Sequence, residues 1–303
     1  MKKITALLAA ACFCFAGCEM LLERGYSSVE KHNEQYVEVD DSTALVVQNY
    51  IGLRNAVLYF IEEGMDNGVI RAYDYDGDVS HDLTQVCLSI KQSTPLGAFA
   101  VDYISHEKQN IVTYTELNVY ITYRRSREQI KSVESIAAEE FGEKVRENVE
   151  QIGEYMVYKF NFTEDEESIT QLIRDAVLSL YLPAMPSFDV SVYPENGVQH
   201  IVEITVKYDG GREIYAGRME ELSIIIEEIL EELPEEAGEY GQYSYLASKI
   251  LSAVQYRERS ENSYCNGAYG ALTDMGATDR GIAEAMRQLC MKAGLKCEIV
   301  EGK

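Results

Sequence analysis

The sequence predicts an α+β protein built on two repeated βαββα units, and three observations carry that prediction. One order of elements occurs twice at a spacing near 86 residues. Thr84-Gln85 answers Thr170-Gln171, and Val119-Tyr120-Ile121-Thr122-Tyr123 answers Ile204-Thr205-Val206-Lys207-Tyr208. Within the second copy, Ile169, Leu172, Ile173, Ala176 and Leu180 recur at helical spacing. Val202, Ile204, Val206 and Tyr208 alternate with Glu203, Thr205 and Lys207, the pattern of a strand with one packed and one wet face. Amphipathic helices over half-buried strands make a two-layer unit.

The elements follow in order. Residues 18–42 are polar and acidic without sustained periodicity and read as a tether. A helix is predicted over 44–63, with Val47, Tyr50, Ile51, Ala56, Val57, Phe60 and Ile61 on one stripe; Gly64 and the Asn67-Gly68 pair end it. The first copy then runs through strand 69–75, helix 80–92, Pro95, strands 98–104 and 111–123, and a long helix from Ser126. The second runs through strand 155–162, helix 166–180, Pro183, strands 189–193 and 200–208, and helix 219–233. Thr163 and Glu166 have capping-box spacing before helix 166–180. The Glu-rich run 230–238, with Pro234, is the last boundary. The expected units are 43–146, 147–235 and 236–303.

The first 17 residues read as a leader rather than as structure. Lys2 and Lys3 precede an apolar run of twelve residues, too short to span a bilayer comfortably. Phe15-Ala16-Gly17-Cys18 resembles a bacterial lipobox. The resemblance implies cleavage before Cys18, lipid on its thiol and stable anchoring to a membrane outside the cytoplasm. Loss of Lys2 and Lys3 with the leader moves the formal charge from −24 to −26. So acidic a chain excludes nucleic acid, whose phosphates need basic surface. Cys87, Cys265, Cys290 and Cys297 are too few for a disulfide framework over this length. Cys290 falls on the apolar face of a predicted helix and Cys297 in a predicted strand, the places of small buried hydrophobes. His32, His81, His106 and His200 are scattered, no zinc spacing occurs, and no cofactor or metal is expected. Asp74-Tyr75-Asp76-Gly77-Asp78 fails the calcium-loop pattern and reads as an acidic turn. Arg124-Arg125-Ser126-Arg127 reads as the end of a strand and the start of a helix.

Residues 264–303 carry the most specific pattern. Ala268-Tyr269-Gly270-Ala271-Leu272, with Tyr256, Gly281 and Gly302, resembles the front half of a bacterial transglutaminase-like domain, a family related to papain-type cysteine proteases. The family places a nucleophilic Cys ten residues after its Tyr, then a helix, then a strand ending in Gly. Here Asp279 holds the nucleophile position, before a helix over 280–293 with Ile282, Ala285, Met286, Leu289 and Ala293 as its stripe. A thiol gains acidity at a helix N-terminus. An Asp there is a good N-cap, but it is a poor nucleophile for amide acyl transfer. The family's His and Asp fall beyond residue 303. Cys265 lies fourteen residues ahead of the nucleophile position, with no base after it. The two units ahead of this region, with the phrases 95–103 and 123–126, resemble surface lipoproteins of clostridia-like bacteria.

The expectation is therefore a lipid-anchored, extracytoplasmic protein with a non-catalytic transglutaminase-like domain, acting as a binding or scaffold module at the cell surface. Its partners would be the membrane, through Cys18, and a protein, peptide or cell-wall ligand. One alternative is a piece of a longer cysteine-type acyl-transfer enzyme. Another is an enzyme of the papain-like class with an altered nucleophile.

Overall fold

The computed structural model describes residues 44–162 and 166–300. The leader, Cys18, the tether, the Thr163 cap and Gly302 lie outside the described residues. No helix among the described residues is long and apolar enough to cross a membrane. The chain is α+β, with two four-stranded mixed sheets and helices packed on them.

The first unit begins with a short strand, β1 (Ala44–Val47), not with a helix. Its apolar, partly β-branched run pairs parallel to β2 (Asn67–Ala72). Helix α1 (Tyr50–Glu62) starts only after Asn49, whose side chain accepts from the Gly52 N–H at 2.9 Å. Tyr50 and Ile51 consequently face solvent, and Leu53, Ala56, Val57, Phe60 and Ile61 form the buried stripe. Gly64 closes α1 at φ 63°, and Asn67-Gly68 opens β2 rather than the turn. Helix α2 (Val79–Ser93) is capped by Asp78, which accepts from the Ser80 and His81 N–H groups. The acidic turn thus serves a helix cap. Residues 98–100, expected in a strand, belong to a short helix, α3 (Pro95–Ala100): Thr94 caps it and Pro95 fits its first turn. Strands β3 (Val101–Asn110) and β4 (Thr115–Tyr123) follow as a hairpin, with 111–114 as its turn rather than as strand. The sheet order is β1-β2-β4-β3.

The long helix expected from Ser126 is absent. Ser126 and Gln129 form a capping box for a five-residue helix, α4 (Arg127–Lys131). The chain then gives strand β5 (Glu134–Ser135) and helix α5 (Phe141–Glu150). Because β5 pairs with β6 (Tyr155–Asn161), the second unit reaches back to residue 134, into the stretch assigned above to the first. Helix α6 (Glu166–Val177) and strands β7 (Ser187–Tyr193) and β8 (Gln199–Lys207) complete it, in the order β5-β6-β8-β7. In α6, Ile169, Ile173 and Val177 are buried while Leu172 is exposed. Both sheets share one scheme, a parallel outer pair followed by two antiparallel pairs.

Helices α7 (Arg212–Glu231) and α8 (Gly238–Ala253) lead to the C-terminal region, with α9 (Ala268–Leu272) and α10 (Asp279–Lys292). That region has no core of its own. Tyr264, Ala268, Leu272, Ala285 and Leu289 bury themselves with Met156, Phe160 and Ile204 of the second sheet. The first unit keeps a separate core around Leu53, Ile70, Leu83 and Leu117, which meets the second sheet at Val157 and Ile201, with Tyr155 and Tyr193 packed beside them. No strand forms over 295–300: strands need a paired neighbour, and these residues have none among those described.

Candidate functional site

The loop between α6 and β7 joins the C-terminal region to the second sheet. The Tyr215 hydroxyl donates to the Ala184 carbonyl at 2.6 Å, Gln288 Nε2 to Leu182 at 2.8 Å, and Tyr269 N to Pro183 at 3.3 Å. Arg287 donates to the Leu178 carbonyl. Four backbone carbonyls of one loop thus find donors on α7, α9 and α10, as buried polar groups must.

The motif positions cluster at the start of α10. Gly270 and Gly281 are buried where a Cβ would run into the backbone of Tyr264 and of Cys265 respectively. Thr278, not Asp279, is the N-cap: its hydroxyl accepts from the Gly281 N–H at 3.4 Å, and its own N–H donates to the Cys265 carbonyl at 2.9 Å. Asp279 is the first helical residue, exposed, with its carboxylate accepting from the Arg280 N–H at 2.9 Å. The cap moves back one residue because the buried Thr278 hydroxyl also donates to Asn266, which locks it at the turn. Tyr269 is buried beneath Arg218, whose guanidinium lies 3.8 Å from the Tyr264 ring centroid. The Tyr269 hydroxyl donates to Glu221 at 2.5 Å; burial, and then this carboxylate, push its pKa up to about 12. Tyr256, by contrast, is exposed and meets Ala277 only through a single backbone bridge.

Cys265 comes to the same turn, which its separation from Asp279 in sequence concealed. Cys265 is buried, and no histidine among the described residues accompanies it at the turn. His200, the one buried histidine among the described residues, bonds to the Pro194 and Gly197 carbonyls in the second unit. Cys290 is buried as expected and raised to about 12 by burial and then by Cys297; Cys297 is half-buried and lies in no strand.

Asp279 stands on the wall of a cleft of about 1260 Å³ between α6 and α10. Arg174 comes from α6, Phe188 from β7, Arg280 and Glu284 from α10, and Ile299 from the last described segment. Arg174 and Arg280 are exposed and form no ion pair or side-chain hydrogen bond among the described residues, whereas Arg287 is held by Glu284 at 3.0 Å. A recess of about 20 Å³ continues from the cleft past Asn266 and Glu284 to Gln288. Gln288 is only 2% exposed, and its Oε1 has no hydrogen-bond partner among the described residues. Sequence reasoning missed Arg174, Arg280 and Gln288. A buried glutamine on a helix stripe carries no periodic signal, and arginines on two distant helices gain meaning only when the helices meet.

The phrases 95–103 and 123–126 prove to be the joint between the two units. Phe99 of α3 is buried edge-on to Tyr193, with ring centroids 5.6 Å apart. Arg125 lies 5.2 Å from the Phe99 centroid and pairs with Glu203 at 2.5 Å. Arg124 donates to the Val101 carbonyl through Nε at 3.1 Å and through a terminal nitrogen at 2.7 Å.

No protein-family model matches the chain, and no curated protein matches it significantly by sequence.

Proposed function

We propose that the chain is a lipid-anchored, extracytoplasmic binding module whose C-terminal region, similar to the front half of a transglutaminase-like domain, binds a peptide or cell-wall ligand without reacting with it. One observation carries this reading. The position that a nucleophilic Cys would take is held by Asp279, which sits exposed on the wall of a large cleft with no histidine among its described lining residues. Acyl transfer from an amide needs an activated nucleophile and a base to move its proton. A carboxylate that shares a cleft with two arginines unpaired among the described residues suits recognition of polar and charged groups instead. Anchoring rests on Phe15-Ala16-Gly17-Cys18.

Two assays test this. Purified protein is incubated with an acyl-donor peptide and a primary amine and followed by mass spectrometry; neither cross-linking nor hydrolysis is expected. Metabolic labelling with a radioactive fatty acid is expected to mark the wild type and not Cys18→Ser. Turnover that disappears in Asp279→Ala would overturn the non-catalytic reading.

A further inference from the structure

We infer that the cleft between α6 and α10 is built for a peptide ligand carrying a free carboxylate, with an adjoining amide N–H directed into the recess at Gln288. The inference rests on the binding-module reading and gives that site its ligand chemistry.

Four observations lead to it. The first is charge. The chain carries −24, yet the cleft is lined by three arginines and three carboxylates, so it is a neutral island on an acidic surface. Second, two of those arginines, Arg174 and Arg280, have no ion pair or side-chain hydrogen bond among the described residues, while Glu284 is paired with Arg287 and Asp279 accepts from the first turn of α10. Unpaired guanidiniums facing a shared space are bidentate donors without an acceptor, and a carboxylate is the acceptor whose geometry they match. Third, Gln288 Oε1 is a buried acceptor without a donor among the described residues. Its Nε2 is fixed on the Leu182 carbonyl, so the amide cannot turn to satisfy the oxygen elsewhere. An unsatisfied buried acceptor costs about 1–3 kcal/mol, so a group bringing an N–H there gains affinity. The recess has room for one such group or one water. Fourth, Leu178, Met185, Phe188 and Ile299 give the outer cleft apolar walls that suit side chains.

Carboxylate, amide N–H and side chains together describe a peptide terminus. A phosphate would use the arginines but would bring no N–H donor to Gln288.

Three probes separate the contributions by calorimetry on the intact chain. They are N-acetyl-Ala-Ala, its C-terminal amide, and the acid methylated on its C-terminal amide nitrogen. The acid is expected to bind roughly 10-fold tighter than the amide. The methylated acid should lose roughly 5–10-fold, because the N–H that meets Gln288 is gone. Arg174→Gln and Arg280→Gln, both exposed changes that leave the core alone, should each erase most of the preference for acid over amide. Acid and amide binding alike, or arginine variants that keep the preference, would overturn this proposal while leaving the binding module standing. An acid preference without any effect of methylation would overturn the part assigned to Gln288. If neither these probes nor cell-wall peptide fragments bind, both readings fail.

Discussion

The two sheets share strand order and pairing, yet they are used differently. In the first sheet, β2 alternates: Gly68, Ile70 and Ala72 are buried, and Val69 and Arg71 are half-exposed on the far face beside Glu116. In the second, β6 is buried at Met156, Val157 and Tyr158 in succession, because helices cover one face and α3 of the first unit covers the other. A strand covered on both faces loses its alternation. One topology thus yields an open sheet in one unit and a sandwiched sheet in the other. The sandwiched sheet is the base on which the C-terminal helices and the cleft are set.

The largest effect should come from unmaking the sandwich. Phe99→Ala should cost about 3–5 kcal/mol in urea unfolding, as for a buried aromatic. Val69→Ala on the open face should cost about 1 kcal/mol or less. Equal costs would mean that the joint contributes no more than an ordinary surface.

A second contrast lies at the end of one helix in each unit. Helix α1 closes at Gly64 with the Met65 N–H bonded to the Phe60 carbonyl at 2.8 Å. Helix α5 closes in the same way, Gly153 N to Asn148 O at 2.8 Å, but with Ile152 at φ 54°. A β-branched residue in that region is strained by about 1–2 kcal/mol. Ile152 is nonetheless buried, and its packing offsets the strain. Both Ile152→Ala and Ile152→Gly should destabilise, with the Gly variant the more stable by about 1 kcal/mol, the reverse of the usual order. Gly64→Ala should cost about 1 kcal/mol or more, since φ is positive and the new Cβ meets Arg127. Ala outscoring Gly at 152 would contradict the strain.

The smallest effect concerns alkaline pH. Burial raises Tyr208 and Tyr269 to about 12 in the second core. Their folded pKa values exceed the unfolded value near 10, so their contribution is complete below about pH 10. It is lost as pH rises through 12. Tyr269→Phe should cost about 1 kcal/mol at neutral pH, through loss of the bond to Glu221, and should flatten that alkaline fall. An unchanged alkaline limb would show that Tyr269 titrates freely.

Much of this fold was legible in the sequence, and the misses are instructive. The strand ending at Tyr208 and helix α6 followed from their periods, which are local. Residues 44–47 were misplaced because a short strand beside a helix blurs two periods. The sandwich could not be foreseen, since the sequence does not say that Phe99 meets Tyr193. At the site, sequence placed Asp279 at the head of its helix, whereas the cap shifted to Thr278 through a tertiary bond to Asn266.

The most direct test of the account is hydrogen–deuterium exchange on the intact chain, with and without saturating N-acetyl-Ala-Ala. Binding at the cleft predicts slower exchange at the first turn of α10 and across the 178–188 loop, with the first sheet unchanged. Protection confined to the first sheet, or none at α10 despite binding, would contradict it.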